Sequence, residues 1–265
     1  MITKTQSKQT TISNPTTLEG VGLHTGNNVT LTFLPAEPNF GYAFKRVDLE
    51  GEPIIKADAN FVTSTQRGTC LENNGVTIQT CEHVLAALVG LEIDNVIIEL
   101  STSEPPIMDG SSKYFIKALE SAGIKQLEAF REVFVVKEVI SYIDDKSGSE
   151  ITIIPSNEYQ ITTMVDFGTK ILGTQNATLQ HLSHFKNDIS DSRTFSFLHE
   201  LESLLEQGLI KGGDLNNAIV YERINNLKGI FYYGGRAVRE GSTFDQEQIV
   251  KVLIKNLIRI EKDSQ

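Results

Sequence analysis

The chain has 265 residues, of which 40% are hydrophobic and 22% are charged, as is typical of a packed globular protein with one or two domains. Its net charge is -10 and it contains no run of lysine and arginine, which argues against nucleic acid as a partner. The N-terminus lacks the apolar stretch of a signal peptide, and no segment reaches the roughly 20 apolar residues of a membrane span. We therefore expect a cytoplasmic protein, with Cys70 and Cys81 reduced and packed as small hydrophobic residues.

The first half of the sequence alternates strand signals with turn signals. Apolar and β-branched residues are concentrated from Val29 to Phe33 and from Tyr42 to Val47, and proline and glycine interrupt them at 35–41 and 49–53. This pattern predicts an antiparallel sheet.

Two helices and a buried strand are predicted next. Helical spacing of apolar residues indicates a helix from about Thr80 to Val89, and the isoleucine- and valine-rich run from Asn95 to Leu100 indicates a buried strand. A second helix is predicted from Ser112 to Ala122, and a glycine ends each helix. Asp109, Ser111 or Ser112 could cap the start of the second helix.

A similar order of signals returns in the second half of the chain. Strands are predicted near 133–143, 150–154 and 159–165, followed by a helix around 198–206. The two halves join near 126–131. We therefore predict an α+β fold of two domains with related topology, residues 1–126 and 127–265, each a β-sheet layered with helices.

Two helical segments carry apolar stripes. In the helix around 198–206 the stripe is formed by leucines, for which packing into a core is the simpler interpretation. Another helix is predicted to begin at Ser242 or Thr243, and it should dock on the protein or pair in a dimer. The apolar residues of this last helix are Val250, Leu253, Ile254, Leu257 and Ile258.

An adjacent glutamate and histidine, Glu82 and His83, lie at the start of the first predicted helix. Their side chains diverge by about 100° on a helix, but both could border one pocket. A histidine could then hold a metal ion while the glutamate reaches a metal-bound water. Taken alone, the dipeptide is weak support for such a site.

Other residues have both a structural and a chemical interpretation. His24 lies in the glycine-rich segment GVGLHTG, which is either a tight turn with a surface histidine or a close approach of backbone to a pocket. Thr194 could donate to an oxyanion or cap a helix, and Phe195 could stack on a sugar or fill core. His181 and His184, with His199, could form a metal cluster, although solvated side chains are the simpler interpretation.

Five segments of the sequence are informative when they are taken together. They are, in chain order, GVGLHTG, TCEHVLAALVGLEIDNVIIEL, EPPIMDGSS, SDSRTFSF and GLIKGGDLNNAIV. In this order and spacing, they closely resemble the UDP-3-O-acyl-N-acetylglucosamine deacetylases, zinc amidases of the committed step of lipid A biosynthesis. The resemblance runs from the N-terminus to about Tyr221.

The resemblance implies a function and a set of roles. The family removes acetate from the 2-acetamido group of a UDP-sugar that carries a 3-hydroxyacyl chain, in an active site between two α+β domains. By motif match, Glu82 falls on the general base, His83 on the first Zn2+ ligand and Thr194 on the oxyanion donor. Phe195 falls on a sugar-contacting aromatic residue and His24 on a position near the pocket.

The resemblance also implies a binding passage for the acyl chain. The stretch from Phe197 to Gly213 falls on the family insert that forms this hydrophobic passage. On this interpretation Leu201 and its neighbouring leucines contact the acyl chain, and Gly213 ends the passage.

The segment after residue 221 departs from the family pattern. The family continues with an RHKxxD motif that supplies further zinc ligands and a later GH motif, but no histidine follows His199 in this chain. Three explanations are open: a truncated or rearranged product, a non-catalytic relative that keeps the substrate pocket, or ligands recruited from His181, His184 or His199. The alternative to an enzyme is therefore a protein that binds the UDP-acylsugar or a protein partner.

Overall fold

The computed structural model describes residues 2–168 and 172–221, except for the side chains of residues 199 and 202, together with the backbone of three short strands at 230–233, 236–239 and 242–243. These residues form the mixture of β-sheets and a few helices predicted from the sequence, so the protein is an α+β protein.

A five-stranded sheet organises the first half of the chain. The strands of this half are β1 (Ile2–Ile12), β2 (Thr16–Val21), β3 (Asn28–Pro35), β4 (Tyr42–Arg46), β5 (Ile54–Lys56), β6 (Val62–Ser64), β7 (Cys70–Asn73), β8 (Val76–Ile78) and β9 (Val96–Leu100). The strand order of the five-stranded sheet is β2-β3-β9-β4-β5, with β4 and β9 parallel and the other neighbours antiparallel. A smaller antiparallel sheet is formed by β6, β7 and β8.

Two helices pack on the five-stranded sheet, α1 (Glu82–Gly90) and α2 (Lys113–Ala122). Alternate residues of β3 and β9 are buried, as the period of two of a strand requires. The rings of Phe33 on β3 and Phe115 on α2 meet edge to face with centroids 6.5 Å apart. The fully buried Cys81 joins this core as a free thiol, and burial raises its pKa to about 12.

The start of α1 differs from the prediction, which placed it near Thr80. Thr80 has a φ of +52°, outside the right-handed helical region, and its hydroxyl donates to Glu104 at 2.8 Å. The helix therefore begins at Glu82. At α2 the predicted bounds agree within one residue, and Ser111 is the residue whose side chain accepts from the first helical amide, that of Lys113, at 3.2 Å.

The N-terminal strand β1 pairs antiparallel with β10 (Ile124–Phe134). The predicted junction at 126–131 therefore lies inside a strand that is tied to the beginning of the chain. Arg131 on β10 donates to both carboxylate oxygens of Asp94, at 2.8 and 2.9 Å, and this pair anchors β10 beside α1 and β9.

The second half begins with two antiparallel hairpins, β11-β12 and β13-β14. The predicted single strand at 133–143 is wrong, because β10 ends at Phe134 and β11 begins at Ile140, and the charged residues Lys137 and Glu138 interrupt the apolar run. Most side chains of the hairpins are exposed in the described part of the chain. The strands are β11 (Ile140–Ile143), β12 (Glu150–Ile153), β13 (Ile161–Asp166) and β14 (Thr174–Leu179).

A short pair of parallel strands adjoins the helix that was predicted around 198–206. β15 (Phe195–Phe197) runs directly into α4 (Leu198–Glu206), whose bounds match the prediction, and it pairs with β16 (Ile219–Tyr221). Before it lies the four-residue helix α3 (Phe185–Asp188).

The last described strands form an antiparallel sheet. These are β17 (Ile230–Tyr233), β18 (Arg236–Arg239) and β19 (Ser242–Thr243). The helix predicted to begin at Ser242 or Thr243 is wrong at these two residues, because they pair with β18 as a strand. The remainder of that predicted helix lies outside the described residues.

Helix length also bears on the membrane prediction. Among the described ranges the longest helix, α2, has 10 residues, and no helix there is long and apolar enough to cross a bilayer.

Candidate active site

Glu82 and His83 occupy the first turn of α1. The Glu82 carboxylate accepts a hydrogen bond from the amide of Thr69 at 2.9 Å, so the loop before β7 fixes its position. The backbone carbonyl of His83 accepts from the Ser112 hydroxyl at 3.0 Å, which ties the first turn of α1 to the start of α2. Both side chains are half-buried.

The electrostatic surroundings of His83 favour a neutral imidazole. Burial lowers the pKa of His83, and the negative charges of Glu82 and Asp109 oppose this shift only in part. A neutral imidazole is the form in which histidine binds a metal ion. Asp109, considered from the sequence only as a helix cap, is therefore part of the electrostatic environment of this site.

The loop that carries Asp109 also holds Thr194. The amide of Thr194 donates to the carbonyl of Gly110 at 2.8 Å, and the guanidinium of Arg193 donates to the carbonyl of Asp109 at 2.5 Å. Arg193 donates as well to the carbonyl of Asn216. The 108–110 loop therefore brings Thr194 to the side of the site occupied by Asp109.

We predict that Gly110→Ala destabilises the protein and lowers any activity of the site. Gly110 has a φ of +84°, and a Cβ atom there would collide with the carbonyl oxygen of Asn217. We expect urea unfolding to show a loss of about 2–3 kcal/mol from strain and overpacking. Gly75→Ala is a matched control, since Gly75 has a φ of +77° and nothing within 4 Å of its Cβ position. Equal losses for the two variants would show that contact with Asn217 is unimportant.

An apolar cavity of about 430 Å³ adjoins this region. One wall is formed by the leucines of α4, including Leu201, and other parts by Phe195, Val220 and Gly213. The Phe195 ring meets Phe167 and Tyr221 edge to face, with centroids 5.3 and 5.5 Å apart. The leucine stripe of α4 thus faces a cavity rather than a filled core, and a cavity of this size and lining suits an aliphatic chain.

His24 lies in the wall of the same cavity. It is 8% exposed, so the interpretation as a surface histidine is wrong. Its Nδ1 accepts from the amide of Ile210 at 3.4 Å, and its Nε2 lies 3.2 Å from the carbonyl oxygen of Arg67. These two contacts are satisfied together by a neutral ring that carries its proton on Nε2.

Glu104 connects the two motifs that carry His24 and Glu82, although no sequence pattern singled it out. Its fully buried carboxylate accepts from the amides of His24 and Thr25, at 3.0 and 2.9 Å. It also accepts from the hydroxyls of Thr25 and Thr80, at 2.9 and 2.8 Å. The only available signal was its place in the EPPIMDGSS segment.

The described residues do not form a complete metal-binding cluster. Within 2–168 and 172–221, no three histidine, cysteine, aspartate or glutamate side chains come together as a ligand set. His181 and His184 are about half exposed and lie beside Glu158 and Asp188, at 2.7 and 3.9 Å, as expected for solvated side chains. The side chain of His199 lies outside the described residues.

Comparison with known proteins decides the family. The sequence profile of the family described as UDP-3-O-acyl N-acetylglycosamine deacetylase matches residues 9–233. The chain belongs to this deacetylase family. The resemblance seen in the five segments is thereby confirmed, and the deacetylase profile continues past Tyr221, where the recognisable motifs end.

Relatives within the deacetylase family include two bifunctional enzymes. The bifunctional enzyme LpxC/FabZ of Bacteroides thetaiotaomicron is 45% identical over 217 residues, which are 82% of this chain and 47% of that protein. The enzyme of the same name from Porphyromonas gingivalis is 42% identical and is matched over 80% of this chain and 46% of its own length. The chain therefore spans about half the length of these relatives.

A relative named only as a deacetylase is matched more fully. The UDP-3-O-acyl-N-acetylglucosamine deacetylase of Myxococcus xanthus is 40% identical over 220 residues, which are 83% of this chain and 69% of that protein.

Proposed function

We propose that this protein hydrolyses the N-acetyl group of a UDP-3-O-(3-hydroxyacyl)-N-acetylglucosamine and releases acetate, the committed step of lipid A biosynthesis. Membership of the deacetylase family supports this proposal. The main structural support is the apolar cavity whose walls include both His24 and Thr194. This cavity lies beside a loop that contacts Glu82. Such a cavity suits a substrate with a long acyl chain near its reacting amide.

The proposed chemistry uses one residue with a carboxylate and one residue with a hydroxyl group. Glu82 acts as the general base that takes a proton from the attacking water, since its carboxylate is half-buried and is held by the amide of Thr69. Thr194 donates from its hydroxyl to the oxyanion that forms at the amide carbon. The backbone contact between Thr194 and Gly110 supports this role, because it fixes the residue beside the 108–110 loop.

Substrate binding is proposed to use the cavity. The acyl chain lies along Leu201 and the other leucines of α4, and Gly213 leaves room at the end of the passage. Phe195 contacts the sugar, and His24 lies at the polar side of the same cavity. This assignment places the general base in residues 1–126 and the oxyanion donor in residues 127–265, with the active site between these two proposed domains.

Zinc is part of the proposal through His83. When bound, zinc lowers the pKa of water and polarises a carbonyl group. The neutral imidazole of His83 and the adjacent Glu82 fit one corner of such a site, but the described residues do not complete it. At least one further ligand of a three-ligand site would have to come from outside the described residues.

We predict that Leu201→Glu discriminates between acyl-chain binding and simple core packing. A carboxylate in the cavity wall should weaken binding of a long-acyl substrate by about tenfold or more, with little effect on a short-chain analogue. Calorimetric titration with the two ligands measures this. Val89→Glu, which changes a 37%-exposed residue of α1 outside the cavity, is the control. Equal loss for both ligands would show that Leu201 only supports the fold.

The test of the proposed function is acetate release from the UDP-acylsugar by purified protein, with and without added zinc. We expect release that depends on zinc and on the acyl chain. Binding of the UDP-acylsugar without any acetate release would instead establish the non-catalytic alternative, and absence of both would contradict the proposal.

A further inference from the structure

The loop from Ser64 to Thr69 lies between the apolar cavity and Glu82. Arg67 lines the cavity, while the amide of Thr69, two residues later, donates to the Glu82 carboxylate at 2.9 Å. Between them, Gly68 lies next to Glu82, since an added Cβ atom would be in ordinary contact with a Glu82 oxygen at 3.5 Å. A shift of this loop would therefore change both the cavity wall and the surroundings of Glu82.

Arg67 joins this loop to the helix that carries the leucine stripe. Its two terminal guanidinium nitrogens donate to the two carboxylate oxygens of Glu200 on α4, at 3.2 and 2.8 Å. A bidentate ion pair of this kind fixes the relative orientation of the two side chains as well as their distance. Glu200 in turn accepts from the amide of Phe197 at 3.3 Å, so the pair acts on the first turn of α4.

The backbone of Arg67 is held at the same time. Its φ of +60° is uncommon for a residue with a side chain, and its carbonyl oxygen lies 3.2 Å from Nε2 of His24. The residue thus contacts α4 through its side chain and the 22–26 turn through its backbone. Both contacts lie at the cavity wall, where His24 and the α4 leucines also lie.

We propose that Arg67 is a specificity-determining residue that selects substrates with a long acyl chain. Its pair with Glu200 holds α4 against the 64–69 loop, so that the leucine wall and the loop that supports Glu82 keep one relative position. A long chain uses the whole wall, whereas a short chain does not reach α4. This inference rests on the proposed function, and it concerns selection between substrates rather than the reaction itself.

The experiment compares Arg67→Met, Glu200→Gln and the double variant on a long-acyl UDP-sugar and a short-acyl analogue. Because the pair is partly exposed, with side-chain exposures of 44% and 27%, we expect kcat/KM for the long-acyl substrate to fall by about two- to fivefold. The short-acyl analogue should lose less, because it shares the loop that supports Glu82 but does not use the leucine wall. The double variant should lose no more than either single variant, since both remove one interaction.

Two further variants separate this role from general stability. Arg67→Lys should retain more of the selectivity than Arg67→Met, because lysine keeps the positive charge but not the bidentate geometry. Lys186→Met removes a partly exposed pair with Glu120 of α2, neither of which lines the cavity, and should leave the ratio between the two substrates unchanged. Equal losses for both substrates in Arg67→Met, or no loss, would overturn the inference.

Binding measurements keep the inference separate from the proposed function. Dissociation constants for the two UDP-sugars, measured on the same variants, should show the same change in ratio. If the unchanged protein releases no acetate but Arg67→Met alters this binding ratio, the proposed reaction fails and the inference stands. If acetate is released and both ratios are unchanged, the inference alone fails.

Discussion

Replacement of Glu82 by glutamine is expected to lower acetate release by about 10²- to 10⁴-fold while leaving the fold intact. Glutamine keeps the size of the side chain and can still accept the hydrogen bond from the Thr69 amide. It cannot take a proton from water, so the variant removes the proposed base and little else. Acetate release at saturating UDP-acylsugar, with urea unfolding of the same samples, measures both quantities.

A matched substitution controls for loss of a partly buried carboxylate. Glu99 on β9 has a side chain that is 25% exposed and pairs with Lys45, away from the cavity. Glu99→Gln should retain full turnover. Turnover of Glu82→Gln equal to that of the unchanged protein would refute the role assigned to Glu82.

The second large effect is expected at Glu104. In Glu104→Leu, the amides of His24 and Thr25 and the hydroxyl of Thr80 lose a buried acceptor that leucine cannot replace. Unsatisfied buried donors are costly, and we expect the free energy of unfolding to fall by about 3–5 kcal/mol. Activity should fall as well, because the His24 turn and the residues before Glu82 are no longer joined. Urea unfolding and acetate release, each measured below the unfolding transition, test the two effects.

Two control variants test whether the effect of Glu104→Leu is specific to this carboxylate. Glu104→Gln keeps one acceptor oxygen but presents an NH2 group to donors, so its loss should be intermediate. Asn95→Leu removes a buried side-chain amide that accepts from the backbone amide of Gly41 at 2.9 Å, just before β9 and outside the cavity lining. It should destabilise the protein without selectively lowering turnover of the folded fraction. A loss below about 1 kcal/mol in Glu104→Leu would mean that the donors find water or other partners.

The sequence predicted those elements whose signals are local. The bounds of α4 and the start and end of α2 follow from apolar spacing and a terminating glycine, and β3 and β9 follow from β-branched runs. The ladder of β1 with β10 could not be predicted this way, because it pairs residues more than 100 positions apart and β1 is largely polar. The start of α1 was misplaced because a distant carboxylate, Glu104, holds Thr80 outside the helix.

Only part of the candidate site was visible in the sequence. Glu82, His83 and Thr194 were found because they lie in motifs that resemble those of the deacetylase family. Arg67 and Glu104 were missed, since their importance comes from contacts with Glu200 and with the 22–26 turn, which only the folded chain brings together. The leucine stripe that lines the cavity was visible in the sequence, but the stripe alone did not distinguish a cavity wall from a filled core.

We propose that His83 and Glu82 form the reactive centre of a zinc-dependent deacetylase. Elemental analysis of purified protein after exhaustive dialysis tests it most directly, with His83→Ala compared in parallel. We predict about one zinc ion per chain in the unchanged protein and much less in the variant, since removal of one ligand weakens a site of three. No zinc in the unchanged protein, or equal zinc in both, would contradict the claim.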